Sequence, residues 1–185
     1  MSWTFDHDRL ERIAKLWDGS IRLTTKDGWF WQAIAWLLFL ISFGSLKRDR
    51  FLDRAATTIG PIHAYPRSWG ANSVEDLLPH ECQHTKQCRW FGLGIHPWIG
   101  LPFMFIAYCL LPLPIGLAWV RYRLELNAEA SSWDYKLRTH QCQPFKVRDN
   151  ARALASNLWG SLYIYAWPLA MWGCKRKAEL VIKSR

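Results

Sequence analysis

The chain has 185 residues, a length that fits one compact domain with a sizeable core and leaves little room for two. Half of it is hydrophobic and thirteen residues are tryptophan, which excludes a disordered chain. The formal net charge is +9, yet no nucleic-acid motif accompanies it; the basic clusters at 47–50, 121–123, 175–177 and 183–185 fit solvated charge flanking apolar helices, or a membrane surface, and nucleic acid is not an expected partner.

Residues 3–17 are expected to form a helix, with Phe5, Ile13, Leu16 and Trp17 spaced among Asp, Arg and Lys at roughly helical intervals. The first residues are charged and lack the short apolar core of a secretory signal. Residues 30–43 are almost purely apolar but fall short of the roughly twenty residues needed to cross a bilayer. A buried or membrane-surface helix is expected there. Residues 54–65 carry Thr57, Thr58, Ile59 and Ile62 around Gly60-Pro61, the pattern of one or two short strands with a bend.

A loop rich in Pro, Ser, Gly and Asn follows at 66–73 and leads into a helix reaching about Trp90. Its start is expected either at Ser73, which forms a loose capping box with Asp76, or at Pro79, a residue tolerated in a first turn and disruptive further in. The run 101–120 is long enough to span a membrane, but Pro102, Pro112 and Pro114 interrupt it. A break near 111–114 into two helices is expected, with re-entrant placement left open. The second of these, 115–137, becomes strongly charged from Arg121 onward. Residues 152–172 are apolar and aromatic, broken at Pro168, and a basic tail follows. The five cysteines are scattered without a C-x-x-C pair, which suits free thiols in a reducing compartment.

The most specific local pattern is His80-Glu81-Cys82-Gln83-His84, an H-E-x-x-H motif. Residues four apart on a helix share a face, so His80 and His84 can present imidazoles to one metal ion. Glu81 sits on the adjoining flank, where its carboxylate can accept a proton from an attacking water. Cys82 points away from the shared face. A hydrolytic zinc site needs a third protein ligand, for which His96, Glu125, Glu129, Asp134 and His140 are the downstream candidates. A metzincin-type continuation, with a Gly and a third His soon after His84, is absent. Glu125 is the better candidate. It opens an E-x-x-A-E pattern in which Glu129 lies one turn further on and can orient a ligand imidazole, while Ala128 leaves space for two helices to approach.

H-E-x-x-H followed by E-x-x-A-(D/E) resembles the gluzincin branch of zinc peptidases. The flanking segments are similar to a group of small zinc metallopeptidases from bacteria and phages. The likeness lies in Thr57-Thr58-Ile59-Gly60, in the Leu77 to Gln87 helix, in the Leu-Pro-Leu-Pro-Ile-Gly-Leu-Ala segment before the Glu125 helix, and in Trp167-Pro168. It covers about residues 55–168. The resemblance implies Zn2+ as cofactor with His80, His84 and Glu125 as ligands, Glu81 as general base, and Glu129 hydrogen-bonded to a ligand histidine. It also implies an edge strand, with Thr58, Ile59 and Gly60 binding an extended peptide or protein substrate through main-chain hydrogen bonds. The oxyanion-stabilising group is left open among Tyr65, Tyr122 and His63.

The expected fold class is therefore α+β, mainly helical: a single-domain zincin-like fold with a short edge strand or small sheet beside the H-E-x-x-H helix. Residues 1–50 would be an N-terminal helical extension packed on the core and 51–185 the zincin-like metallopeptidase domain. The expected function is zinc-dependent peptide-bond hydrolysis. The alternative is a non-catalytic, metal-stabilised structural protein of a phage virion or membrane, and a third reading is a membrane-surface binding module. The expected setting is cytoplasmic or virion-associated, with membrane surface or virion proteins as further partners.

Overall fold

The computed structural model describes residues 3–41, 43–44, 47–109, 117–139, 142–162 and 167–184. Among these residues there are eight helices and one three-stranded sheet, an α+β arrangement dominated by helix. Backbone proximity groups the chain into two compact units, Met1–Thr85 and Lys86–Arg185.

In the first unit, α1 (Trp3–Trp17) follows the expected bounds. Its Leu10 and Ala14 are buried with Ile21, Leu23, Tyr65, Val74, Leu78 and Cys82. The strands β1 (Arg22–Thr25), β2 (Thr57–Ile59) and β3 (Ile62–Tyr65) pair in the order β1-β3-β2. β1 runs parallel to β3 with Leu23 opposite His63; β2 runs antiparallel to β3 with Thr58 opposite the same His63. The Gly60-Pro61 bend is the hairpin turn: Gly60 has φ +57, the positive value that a type II′ turn needs at its first central position. Between β1 and β2 lie α2 (Trp29–Ile41) and a short α3 (Arg48–Arg54), which pack on each other.

The motif helix is α4 (Ala71–Phe91), longer than either expected start allows. The Gly70 carbonyl accepts the amides of Ser73 and Val74, so the helix is already under way at Ser73, which is not its cap. Pro79 sits inside it, buried, where it removes the amide that would have bonded the Glu75 carbonyl. Burial of its ring in the core offsets part of that loss. The expected Pro66–Ser73 loop is correspondingly shorter.

In the second unit, α5 (Pro97–Cys109) runs through Pro102 without interruption, so this proline does not break the apolar run. The expected break at 111–114 lies outside the described residues. Among those residues, no helix is long and apolar enough to cross a membrane. α6 (Leu117–Arg138), α7 (Pro144–Leu162) and α8 (Trp167–Lys183) share one core of Tyr122, Leu126, Ala130, Trp133, Val147, Ala151, Ala155, Cys174, Ala178 and Val181. The alanines keep these helices close, and Arg148 on α7 reaches Glu179 on α8 at 2.6 Å. The basic tail is thus helical as far as Lys183, and Pro168 falls in the first turn of α8, where proline is tolerated.

Candidate metal centre

His80 and His84 stand one turn apart on α4 because their four-residue spacing puts both on one helix face. Their Nε2 atoms are 3.2 Å apart and their rings are crossed at 78°. Two tetrahedral nitrogen ligands about 2.0–2.1 Å from one zinc ion stand about 3.3 Å apart, so the pair already has the spacing of a shared metal. Gln87 is three residues beyond His84 and projects toward the same side of the helix. Its Nε2 donates to the Leu124 carbonyl on α6 at 2.8 Å, which brings the following residue, Glu125, alongside. One donor atom each from His80, His84 and Glu125 lies within 4.8 Å of the other two, and the described residues hold no other such group. These residues could hold a metal ion. The set of two imidazoles and one carboxylate leaves a fourth tetrahedral position open.

Of the other downstream candidates, His140 lies outside the described residues and the remaining three are placed differently. The His96 Nδ1 accepts the Trp98 amide at 3.3 Å, where the chain enters α5. Asp134 takes the Arg138 guanidinium at 3.0 Å. Glu129 lies outside the three-residue group. Its charge, after burial and against a hydrogen bond from Tyr122, helps push the Cys174 thiol up to about 11.

The sheet holds the flank of α4. Glu81 is buried, and its Oε2 accepts a hydrogen bond from the Thr58 hydroxyl at 2.5 Å. Thr58 and Ile59 lie on β2, at one edge of the sheet, and Gly60 opens the turn; β3 is the central strand and so is not the edge expected for the whole 57–65 segment.

Two further groups lie near Glu81, and the first of them, Lys26, carries no signal in the sequence. Lys26, at the end of β1, is buried; its Nζ donates to Thr57 Oγ1 at 2.6 Å and the Phe51 carbonyl at 2.9 Å and lies 3.9 Å from the centre of the Phe51 ring. Burial pushes its ammonium down to about 8 and the Glu81 charge opposes that shift. It ties β2 to α3 and so steadies the strand that presents Thr58. Tyr65, one of the residues left open as an oxyanion donor, has a buried hydroxyl without a hydrogen-bond partner. Burial, then the charges of Glu81 and Cys82, raise its pKa well above the usual range. Tyr122 is instead buried against α8, its hydroxyl 4.0 Å from the Cys174 sulfur.

His63 is fully buried, with Nε2 2.8 Å from the Thr85 hydroxyl, whose own proton goes to the Gly60 carbonyl at 2.8 Å. Thr85 must therefore accept from His63 Nε2–H, which leaves Nδ1 as the unprotonated nitrogen, buried and without a partner. Protonating it would bury a charge. Burial accordingly pushes His63 down to about 4, against the opposing charge of Glu81. Between that value and the usual 6.5 the unfolded chain binds a proton that the folded chain does not, so stability falls as pH drops through the window. Acid unfolding followed by circular dichroism should register a loss of roughly 3 kcal/mol from this group between about pH 6.5 and 4. A His63→Gln variant, which keeps a donor toward Thr85, should lack that component.

No family model matches the chain, and the comparisons with curated proteins and with solved structures likewise give no match.

Proposed function

We propose that this chain is a zinc-dependent peptide hydrolase of zincin-like, gluzincin type. The observation that carries the reading is the convergence of His80, His84 and Glu125 donor atoms beside a buried Glu81 that Thr58 holds in place. Zinc bound there would act as a Lewis acid toward a peptide carbonyl and lower the pKa of a water. Glu81, fixed by the Thr58 hydroxyl, accepts the proton of the attacking water and passes it to the leaving amine. β2 offers its outer edge to an extended segment of substrate, so affinity comes from main-chain hydrogen bonds and sequence selectivity is low. Glu129 is one turn from Glu125 on α6 and its role would be to orient the ligand set rather than to join it.

The test pairs metal analysis of the purified protein with cleavage of an unfolded protein substrate. Wild type should carry about one zinc per chain. Glu125→Ala should weaken zinc retention by more than the roughly 10–100-fold that outer-shell changes cost, and hydrolysis should fall with it. Equal zinc affinity in the variant would remove Glu125 from the site. Tight zinc without hydrolysis of any substrate would favour a metal-stabilised structural protein.

A further inference from the structure

We propose that the turn joining α4 to α5, together with the outward face of α5, docks onto an anionic lipid bilayer. α5 contains no charged residue. One side of it is packed: Gly100 lies against the Cys88 carbonyl, and the Cys88 sulfur is 3.2 Å from Met104 Sδ. Trp98, Ile99, Phe103, Phe105 and Ile106 are all exposed. At about 100° per residue these five fall within an arc of roughly 160°, opposite Gly100 and Met104. The exposed residues therefore form one continuous apolar face.

The turn extends that face. Leu93 is 89 % exposed and has φ +55, a conformation that an L side chain adopts only at a cost in free energy. Gly94 follows at φ +81 and its amide caps the Arg89 carbonyl at 2.9 Å. A polar Asn would suit this position better, so the strain holds an apolar side chain out from the fold. The other unit repeats the device. Beyond the uncharged α2, Phe43 has φ +51 and is 98 % exposed, Gly44 follows at φ +80, and Lys47 and Arg48 stand a few positions further along the sequence.

Charge identifies the occupant. No Asp or Glu occurs between Glu81 and Glu125, whereas Lys86, Arg89, Arg121 and Arg123 do. Lys86 and Arg89 line a groove with Trp90, Phe91, Leu93 and Gly94. Exposed tryptophans, a protruding leucine and adjacent cations are the combination that binds at the headgroup level of an anionic membrane. With no described helix able to span, the contact is interfacial. The inference stands independently of the hydrolase reading, since it uses no zinc ligand.

Co-sedimentation of the full chain with vesicles tests it. Phosphatidylcholine vesicles containing phosphatidylserine should bind at least about tenfold more tightly than phosphatidylcholine alone, and salt should weaken the binding. Leu93→Asn should reduce binding about tenfold while its thermal midpoint stays equal or rises, because Asn tolerates the left-handed backbone. Lys86→Glu should cost about tenfold on the anionic vesicles alone. Absence of binding to either vesicle, equal binding to both, or wild-type binding by Leu93→Asn would overturn the proposal. So would a vesicle-free dimer that Leu93→Asn dissociates, which would assign the face to a second copy of the chain.

Discussion

Glu81→Gln is expected to lower kcat/KM for peptide hydrolysis by about 10²–10⁴-fold while zinc content stays at the wild-type level. The substitution is close to isosteric. The amide oxygen of Gln can still accept the Thr58 hydroxyl that now bonds Glu81 Oε2, so the side chain keeps its place against β2. What it loses is basicity, and with it the capacity to take a proton from water. Glu81 is not one of the three convergent donors, so metal affinity should not follow activity downward. Kinetics with zinc quantified in the same preparation separate the two. Activity within about tenfold of wild type would remove Glu81 from proton transfer. Loss of zinc together with activity would make Glu81 a support of the ligand set rather than the base.

The pattern of residues carried much of this site, for reasons that are local. His80 and His84 share a face at any helical register, so their spacing alone was sufficient. The Gly60-Pro61 hairpin and the bounds of α1 were equally legible, because turn chemistry and apolar period act over a few residues. Glu125 needed more. Its E-x-x-A-E pattern favours it over His96 and Asp134 in sequence, but what brings it to the site is a long-range contact: His96 bonds the nearby Trp98 amide and Asp134 pairs with Arg138 on its own helix, whereas Gln87 brings Leu124 and Glu125 alongside α4.

The features that escaped have non-local causes. β1 offers only Leu23 as an apolar residue, and its strand state comes from pairing with β3, some forty positions later in the chain. Lys26 reads as a turn lysine before Asp27-Gly28; its burial depends on α3 and β2 closing over it. Proline is costly inside an isolated helix, which is why Pro79 is one of the two expected starts of α4 and Pro102 an expected interruption of the apolar run, yet both lie within helices that carry them. Intrinsic propensity was overridden there by packing.

Gly100→Ala is expected to be the most damaging single-methyl addition among the described glycines of the second unit. A Cβ at Gly100 would fall 1.7 Å from the Cys88 carbonyl oxygen and 2.5 Å from the Gly92 amide nitrogen. Both are backbone atoms of the α4 end, so no rotamer change relieves the clash. The contact is reciprocal, since a Cβ at Gly92 would meet the Gly100 nitrogen at 2.8 Å. Relief requires α5 to move away from α4, which opens the Cys88–Met104 packing along the same seam. Overpacking of this kind costs about 1–3 kcal/mol, and with immovable atoms on the receiving side the upper end applies. For a chain of this size that corresponds to a fall of about 6–12 °C in Tm. Gly19→Ala is the matched control, because no atom lies within 4 Å of its added methyl, and it should change stability by no more than about 0.5 kcal/mol. The damage should also reach the metal centre. α5 packs on α6, and Gln87, one residue before Cys88, holds the Leu124 carbonyl beside Glu125. Moving α5 therefore loads the contact that brings the carboxylate to the imidazoles, and zinc affinity in Gly100→Ala should drop below wild type even under conditions where the variant is folded. A folded Gly100→Ala chain with both Tm and zinc affinity unchanged would mean that the two helices are not held at this distance.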